Sequence, residues 1–305
     1  MNKNKIGETY VNKWGSKFTI VEYNNYKNVI VEFDEPNKPR KKTRFENIKK
    51  GNVMSPNQIA IERVGETYTN KNNTKYEIIC YNNKNDVIVK FLDEHKYIAH
   101  TDYQRCKNGN VINPYDKTIY GVAYKGETII KKTSIKNKKS YTVWYAMLKR
   151  CYDVDFHKKE PTYKDCTVCD EWLCYTNFEK WFNENYYELI DERVCLDKDI
   201  LFKNNKVYSP QTCCFVPQKI NNMFVKSNAL RGEFPIGVTQ KHKGHGYQVT
   251  INKFYLGTFN TIEEAFKVYK EYKENLIKQI ADEYKNIIPK KVYDALYNYK
   301  IEIDD

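Results

Sequence analysis

The chain lacks any apolar run approaching the roughly 18 residues that a membrane-spanning helix needs, so no span is predicted. Its first residues, Met1-Asn2-Lys3-Asn4-Lys5, carry no apolar signal region and lead into strand-like sequence, which points to the cytoplasm. Histidine is scarce, with five in 305 residues. Acidic residues are outnumbered, 39 against 51 lysines and arginines, and the formal net charge is +12. An excess of that size makes nucleic acid the leading partner, an anionic membrane surface the second, and a small-molecule ligand a poor candidate. Cysteine is present but not in a disulfide pattern: nine residues, an odd number, read as reduced thiols. Cys166-x-x-Cys169 invites a zinc reading, yet no second knuckle of like spacing follows and no His-x3-His lies nearby. Ordinary buried thiols are the simpler expectation.

What is there in quantity is aromatic. Rings make up 15% of the chain, with 27 tyrosines. Tyrosine beside lysine suits a surface that stacks and neutralises, although AT-rich coding explains the same abundance. The chain also repeats itself. Residues 6–56 align with 64–114 at a constant offset of 58. Gly7-Glu8-Thr9-Tyr10 returns as Gly65-Glu66-Thr67-Tyr68, Val29-Ile30-Val31 as Val87-Ile88-Val89, and Pro56 and Pro114 close the copies. Ungapped identity at that density is duplication. Short β-prone runs and Asn-rich turns predict small SH3-like barrels at 1–58 and 59–116, since closure hides strand edges. The first copy carries Lys38, Arg40, Lys41, Lys42 and Arg44 in a predicted loop, and the second has one lysine there. Such a loop is either a phosphate contact or a solvated surface.

Residues 117–140 read as a basic linker, ending in Lys131-Lys132 and three further lysines that repel one another and suit a phosphate backbone. A helix is predicted over 141–151 with Trp144, Met147 and Leu148 inward and Arg150 near its C-terminal end. A second is predicted over 171–187, with Trp172, Phe178, Trp181 and Phe182 forming core. Then comes Leu196-Asp197-Lys198-Asp199-Ile200-Leu201, followed by Tyr208-Ser209-Pro210 and Val216-Pro217-x-x-Ile220-Asn221-Asn222. Carboxylates and a side-chain amide oxygen are hard ligands that suit Mg2+ or Mn2+.

Together with Trp144-x-x-Met147-Leu148-x-Arg150-Cys151-Tyr152 and Val168-Cys169-Asp170-Glu171-Trp172, this pattern resembles the phage HNH (ββα-metal) endonuclease-like proteins over roughly 141–224. The resemblance implies a central ββα-metal-like domain at 141–228. It puts Asp197 at the metal position of the first strand and Asn221 at that of the helix, with Asn222 as the alternative. Lys198 then stands where the family has its general-base histidine, Thr212 falls near the Asn that orients that base, and Asp199 is a further carboxylate close by. A lysine is a cation at pH 7 and accepts a proton only where its surroundings depress its pKa. Water beside a divalent cation needs less help, because the ion lowers its pKa. Alternatively, both aspartates face solvent on one side of a strand and Asn221 merely caps a helix.

Residues 229–305 contain Ile236-Gly237-Val238, Tyr247-Gln248-Val249-Thr250-Ile251, Tyr255-Leu256-Gly257-Thr258-Phe259 and Thr261-x-Glu263-Glu264-Ala265. This segment resembles the AP2 DNA-binding domain. Three short strands and a Thr-capped helix are expected, with Ala265, Val268, Tyr269 and Tyr272 covering one sheet face. The other face is left to carry Gln240, Lys241, Gln248 and Lys253 into a major groove. The expected whole is α+β: two β repeats, the ββα-metal-like domain and the AP2-like module, with Pro289–Tyr299 as a terminal helix. The expected activity is cleavage of double-stranded DNA with a divalent metal, Arg150, Lys131 and Lys132 adding DNA contacts. The alternatives are a catalytically degenerate DNA-binding or regulatory protein, and a phage factor whose repeats bind a host protein.

Overall fold

The computed structural model describes residues 5–127, 139–224, 233–240 and 246–303. Lys131, Lys132 and Lys241 lie outside them. The fold is α+β, built on several small sheets that are antiparallel apart from one two-stranded parallel pair. Two compact units, Met1–Thr118 and Ile119–Asp305, divide the chain.

In the first unit, β1 (Thr9–Val11), β2 (Lys17–Asn25), β3 (Asn28–Phe33) and β4 (Arg40–Thr43) form an antiparallel meander, and α1 (Phe45–Lys49) follows. Helix α2 (Pro56–Arg63) leads into the second copy. There β5 (Thr67–Thr69), β6 (Lys75–Asn83), β7 (Asp86–Phe91), β8 (Ile98–Thr101) and α3 (Tyr103–Lys107) repeat the pattern. The 58-residue offset holds down to register. Ile20 faces Val31 as Ile78 faces Val89, and each pair is followed by a bulge. The cores correspond as well, Phe18, Val29, Val31 and Phe33 in one copy and Tyr76, Val87, Val89 and Phe91 in the other. So does a buried asparagine. Asn12 accepts from the Trp14 and Ser16 N–H groups and donates to the Val53 carbonyl. Asn70 accepts from Asn72 and Thr74 and donates to Asp116.

Two expectations are corrected here. The sheets are open rather than closed barrels, because the outer strands do not pair with each other. They are only three and four residues long, and Phe45 and Ile48 of α1 complete the core instead. The basic stretch is loop only in part: Lys38 stays in the turn, but Arg40–Thr43 is the edge strand β4, where charge discourages pairing with another chain. Arg40 there is bonded to Glu32 and Lys41 to the Met54 carbonyl.

The second unit begins with α4 (Lys139–Tyr152) and α5 (Val154–Lys159), then β9 (Thr167–Val168), α6 (Asp170–Leu173) and α7 (Tyr175–Asn185). The single helix expected over 171–187 is broken because Cys174 is extended: the Leu173 carbonyl and Tyr175 N–H are taken by the backbone of Tyr124. The inward residues remain as expected, with Trp144, Met147, Leu148, Trp172, Phe178 and Phe182 buried and Trp181 packed against them. Next come β10 (Val194–Asp197), β11 (Val207–Tyr208), β12 (Cys214–Pro217) and α8 (Gln218–Asn222). β10 and β12 pair antiparallel, Asp197 opposite Cys214, while β11 pairs in parallel with β9.

The pair β10–β12 is covered on both faces, which is why all of Cys214-Phe215-Val216-Pro217 is buried. Leu196 and Phe215 join the aromatic core of α4 and α7. Ile200, Cys214, Val216 and Ile220 join a second core with the C-terminal segment. That segment is the sheet β13 (Val238–Thr239), β14 (Tyr247–Ile251) and β15 (Phe254–Phe259), then α9 (Ile262–Glu283) and α10 (Lys290–Tyr297). Thr261 caps α9 by accepting from the Glu264 N–H. The covering face of α9 is Ala265, Phe266 and Tyr269, with Tyr272 exposed. Gly237, at φ +78°, is needed where it is, because a Cβ there would stand 2.0 Å from the Tyr269 ring.

Candidate nuclease site

Strand β10 ends at Asp197 because that side chain captures the chain behind it. Its Oδ1 accepts from the backbone N–H of Asp199 and of Ile200, both at 2.8 Å, and the turn that results takes Asp199 out of the strand. The Lys198 side chain, 9% exposed, then folds inward. Its ammonium donates to Asp199 at 2.7 Å and to the Asn205 carbonyl at 2.8 Å. Asn205 answers by donating to the carbonyls of Lys198 and Val207. Both aspartates are half-buried and the lysine between them is buried, so the arrangement is not two carboxylates on a solvated strand face.

These residues line a two-lobed cleft of about 380 and 220 Å³. Asp197, Lys198, Asp199, Asn221 and Tyr163 belong to both lobes. Glu160, Lys203, Lys206, Phe224 and Tyr299 wall the larger, and Arg150, Arg193, Tyr208 and Gln218 the smaller. The cleft thus gathers Asp197, Lys198, Asp199, Asn221 and Arg150, five of the residues singled out in the sequence. Arg193 was not singled out; its only sequence signal was a cation immediately before a hydrophobic strand. Asn222 turns away and accepts from Gln218, which leaves Asn221 as the helix asparagine in the cleft, with Gln218 lining the smaller lobe. Thr212 spends its hydroxyl on the Val207 carbonyl and on Ser209, so it ties the loop and orients nothing beside Lys198. His157 bonds the Arg150 carbonyl, and among the described residues no histidine lines the cleft.

The donor set suits a hard cation. Asp197 Oδ2 and the Asn221 side-chain amide have no hydrogen-bond partner among the described residues, although Asp197 Oδ1 is doubly bonded. Burial pushes the Asp197 carboxyl above the usual carboxylate range, and Asp199 adds to this, against the two backbone N–H groups and Lys198. A cation at the free oxygens would offset that penalty. Side-chain oxygens with room for water around them match Mg2+ or Mn2+ better than zinc. Among the described residues, no three His, Cys, Asp or Glu side chains cluster as a metal-holding group, so the set depends on Asn221 and on water. Burial pushes the Cys213 thiol up to about 12 and the Cys151 thiol likewise, and Cys195, which lines the smaller lobe, donates to the Gln218 side-chain oxygen.

Away from the cleft, the sheet β13–β14–β15 turns Val249 and Ile251 toward α9, and among the described residues no element covers the other face. Gln248 stands on that face, between Thr239 and Thr258. Lys253 does not. With Asn252 it forms the two-residue turn of the β14–β15 hairpin, both with positive φ, so it projects from the tip. Gln240 lies just beyond β13 and is half-buried. Among the described residues no helix is long and apolar enough to cross a membrane. Compared with family models, curated proteins and solved structures, the chain matches none.

Proposed function

We propose that the cleft around β10, β12 and α8 hydrolyses phosphodiesters of double-stranded DNA with a bound Mg2+ or Mn2+, as the HNH-like pattern implies. One observation carries this reading: Asp197 and Asn221, from a strand end and from the helix after its partner strand, bring unsatisfied side-chain polar atoms into a single cationic cleft. The metal, when bound, supplies a Lewis acid and a water of lowered pKa. Asp197 and Asn221 would hold it. Asp199, next to Asp197 in both lobes, is a carboxylate able to accept a proton or a water hydrogen bond. Lys198 is a positioning residue, since its ammonium fixes Asp199 and leaves a positive charge under the phosphate. The open face around Gln248 would meet the groove, and Lys253 at the hairpin tip would meet the backbone.

A second reading is favoured by the same lysine. Its ammonium is already committed to Asp199 and Asn205, so Lys198 does not replace the histidine base of the family, and a binding-only protein would retain this arrangement. Incubation with supercoiled plasmid separates the two readings. Nicking that needs Mg2+ or Mn2+ and stops with EDTA supports hydrolysis. Tight binding without nicking in any divalent cation leaves the binding-only account.

A further inference from the structure

Three lysines line the cleft, and each is tied down. Lys198 holds Asp199 and Asn205, Lys203 bonds the Lys300 carbonyl, and Lys206 bonds the Thr162 carbonyl. The two arginines of the smaller lobe are different. Arg150, in the last turn of α4, is half-buried, with its guanidinium carbon 6.0 Å from the Tyr163 ring centre and in reach of the buried Tyr208 hydroxyl. Arg193 enters from the residue before β10 and is exposed. Among the described residues neither has a carboxylate within the 4.0 Å of an ion pair, although Asp197 lines the same lobe. Asp197 turns one oxygen to the backbone instead. A desolvated guanidinium without an acid is costly unless an anion arrives from outside. Its planar fork fits two oxygens of one phosphate, which an ammonium does not.

We infer that Arg150 and Arg193 form a phosphate-binding subsite that seats one backbone phosphodiester of DNA in the smaller lobe, beside Asp197 and Asn221. The inference rests on the proposed DNA-cleaving reading for its ligand, but not on cleavage itself. Arg193 does the capturing at the mouth, and Arg150, held beside the Tyr163 ring, fixes the orientation of the phosphate.

The test uses the full chain in EDTA with a short labelled duplex, titrated with salt. Arg193→Gln, at an exposed position, and Arg150→Lys, which keeps the charge but loses the fork, are each expected to weaken binding on the order of fivefold. Arg193→Gln also flattens the log–log salt slope by about one, as loss of one phosphate contact requires. Both variants binding with wild-type affinity would overturn the inference, provided their melting temperatures match wild type. If Arg150→Lys melts early, Arg193→Gln alone decides. A thermal shift with inorganic phosphate that Arg193→Gln removes, with duplex affinity unchanged, would give the lobe to free phosphate and also overturn it. Metal-dependent nicking has no part in this assay. A protein that binds through these arginines and never cuts loses only the cleavage reading, and one that cuts with both variants binding normally loses only the subsite.

Discussion

Asp197 has two jobs on its two oxygens, and substitution can separate them. Oδ1 closes the turn after β10, and Oδ2 faces the cleft. Asp197→Asn keeps an oxygen for the two backbone N–H groups and removes the charge, so its melting temperature should stay near wild type. Asp197→Ala strands both N–H groups, one on buried Ile200, and should cost about 1–3 kcal/mol in denaturant unfolding. Mn2+ should raise the wild-type melting temperature, worth about 1.4 kcal/mol at ten times the Kd, and the rise should vanish in Asp197→Asn. Equal shifts in both proteins would place the ion elsewhere. The carboxylate and amide that meet in the cleft were legible as residues because strand, turn and helix follow in order. That Lys198 is tied down was not, since its partner Asn205 sits in an irregular loop whose path no periodicity reveals.

At the level of elements, the repeats were the most legible feature, because a duplicated sequence repeats its burial pattern. The same offset sets strand, bulge and buried asparagine. Closure was not legible. Whether a four-stranded meander curls onto itself depends on the length of its outer strands, and short β-prone runs do not show where pairing stops. The break at Cys174 was hidden for a similar reason: its cause is Tyr124, 50 residues away. Asp116 sets where the first unit can be cut. It accepts from Asn70, Asn72 and Thr74, so it pins the second copy from beyond its last helix. A fragment of residues 1–118 should give a β-type circular dichroism spectrum and a cooperative melt. Asp116→Ala in that fragment should cost about 1–3 kcal/mol by leaving buried Asn70 short of a partner. An unchanged melt would show that this network does not hold the copy in place.

For the second unit as a whole, the shared core matters most. Ile200, Cys214, Val216 and Ile220 are buried by residues of the C-terminal segment, so the strand–strand–helix unit and that segment share one apolar core. Truncation after residue 228 should therefore expose this face and abolish cooperative unfolding of the unit. A truncated chain that melts like the full one would contradict the shared core. Ile220→Ala should act the same way more mildly, costing about 2–5 kcal/mol, and it should also weaken Mn2+ binding because Ile220 seats the helix that carries Asn221. Groove contacts are better probed by Gln248→Ala and Lys253→Ala, which leave that core untouched. The net charge of +12 predicts that all duplex binding falls steeply with salt. Charge was legible from composition alone; the common core was not, because it joins residues from both segments. The most direct measurement compares wild type with Asp197→Asn on supercoiled plasmid in Mg2+ or Mn2+, with duplex binding measured alongside. The account predicts that wild type nicks the plasmid, that Asp197→Asn binds comparably, and that Asp197→Asn does not nick it. Nicking by both proteins at the same rate, or by neither in any divalent cation, would contradict it.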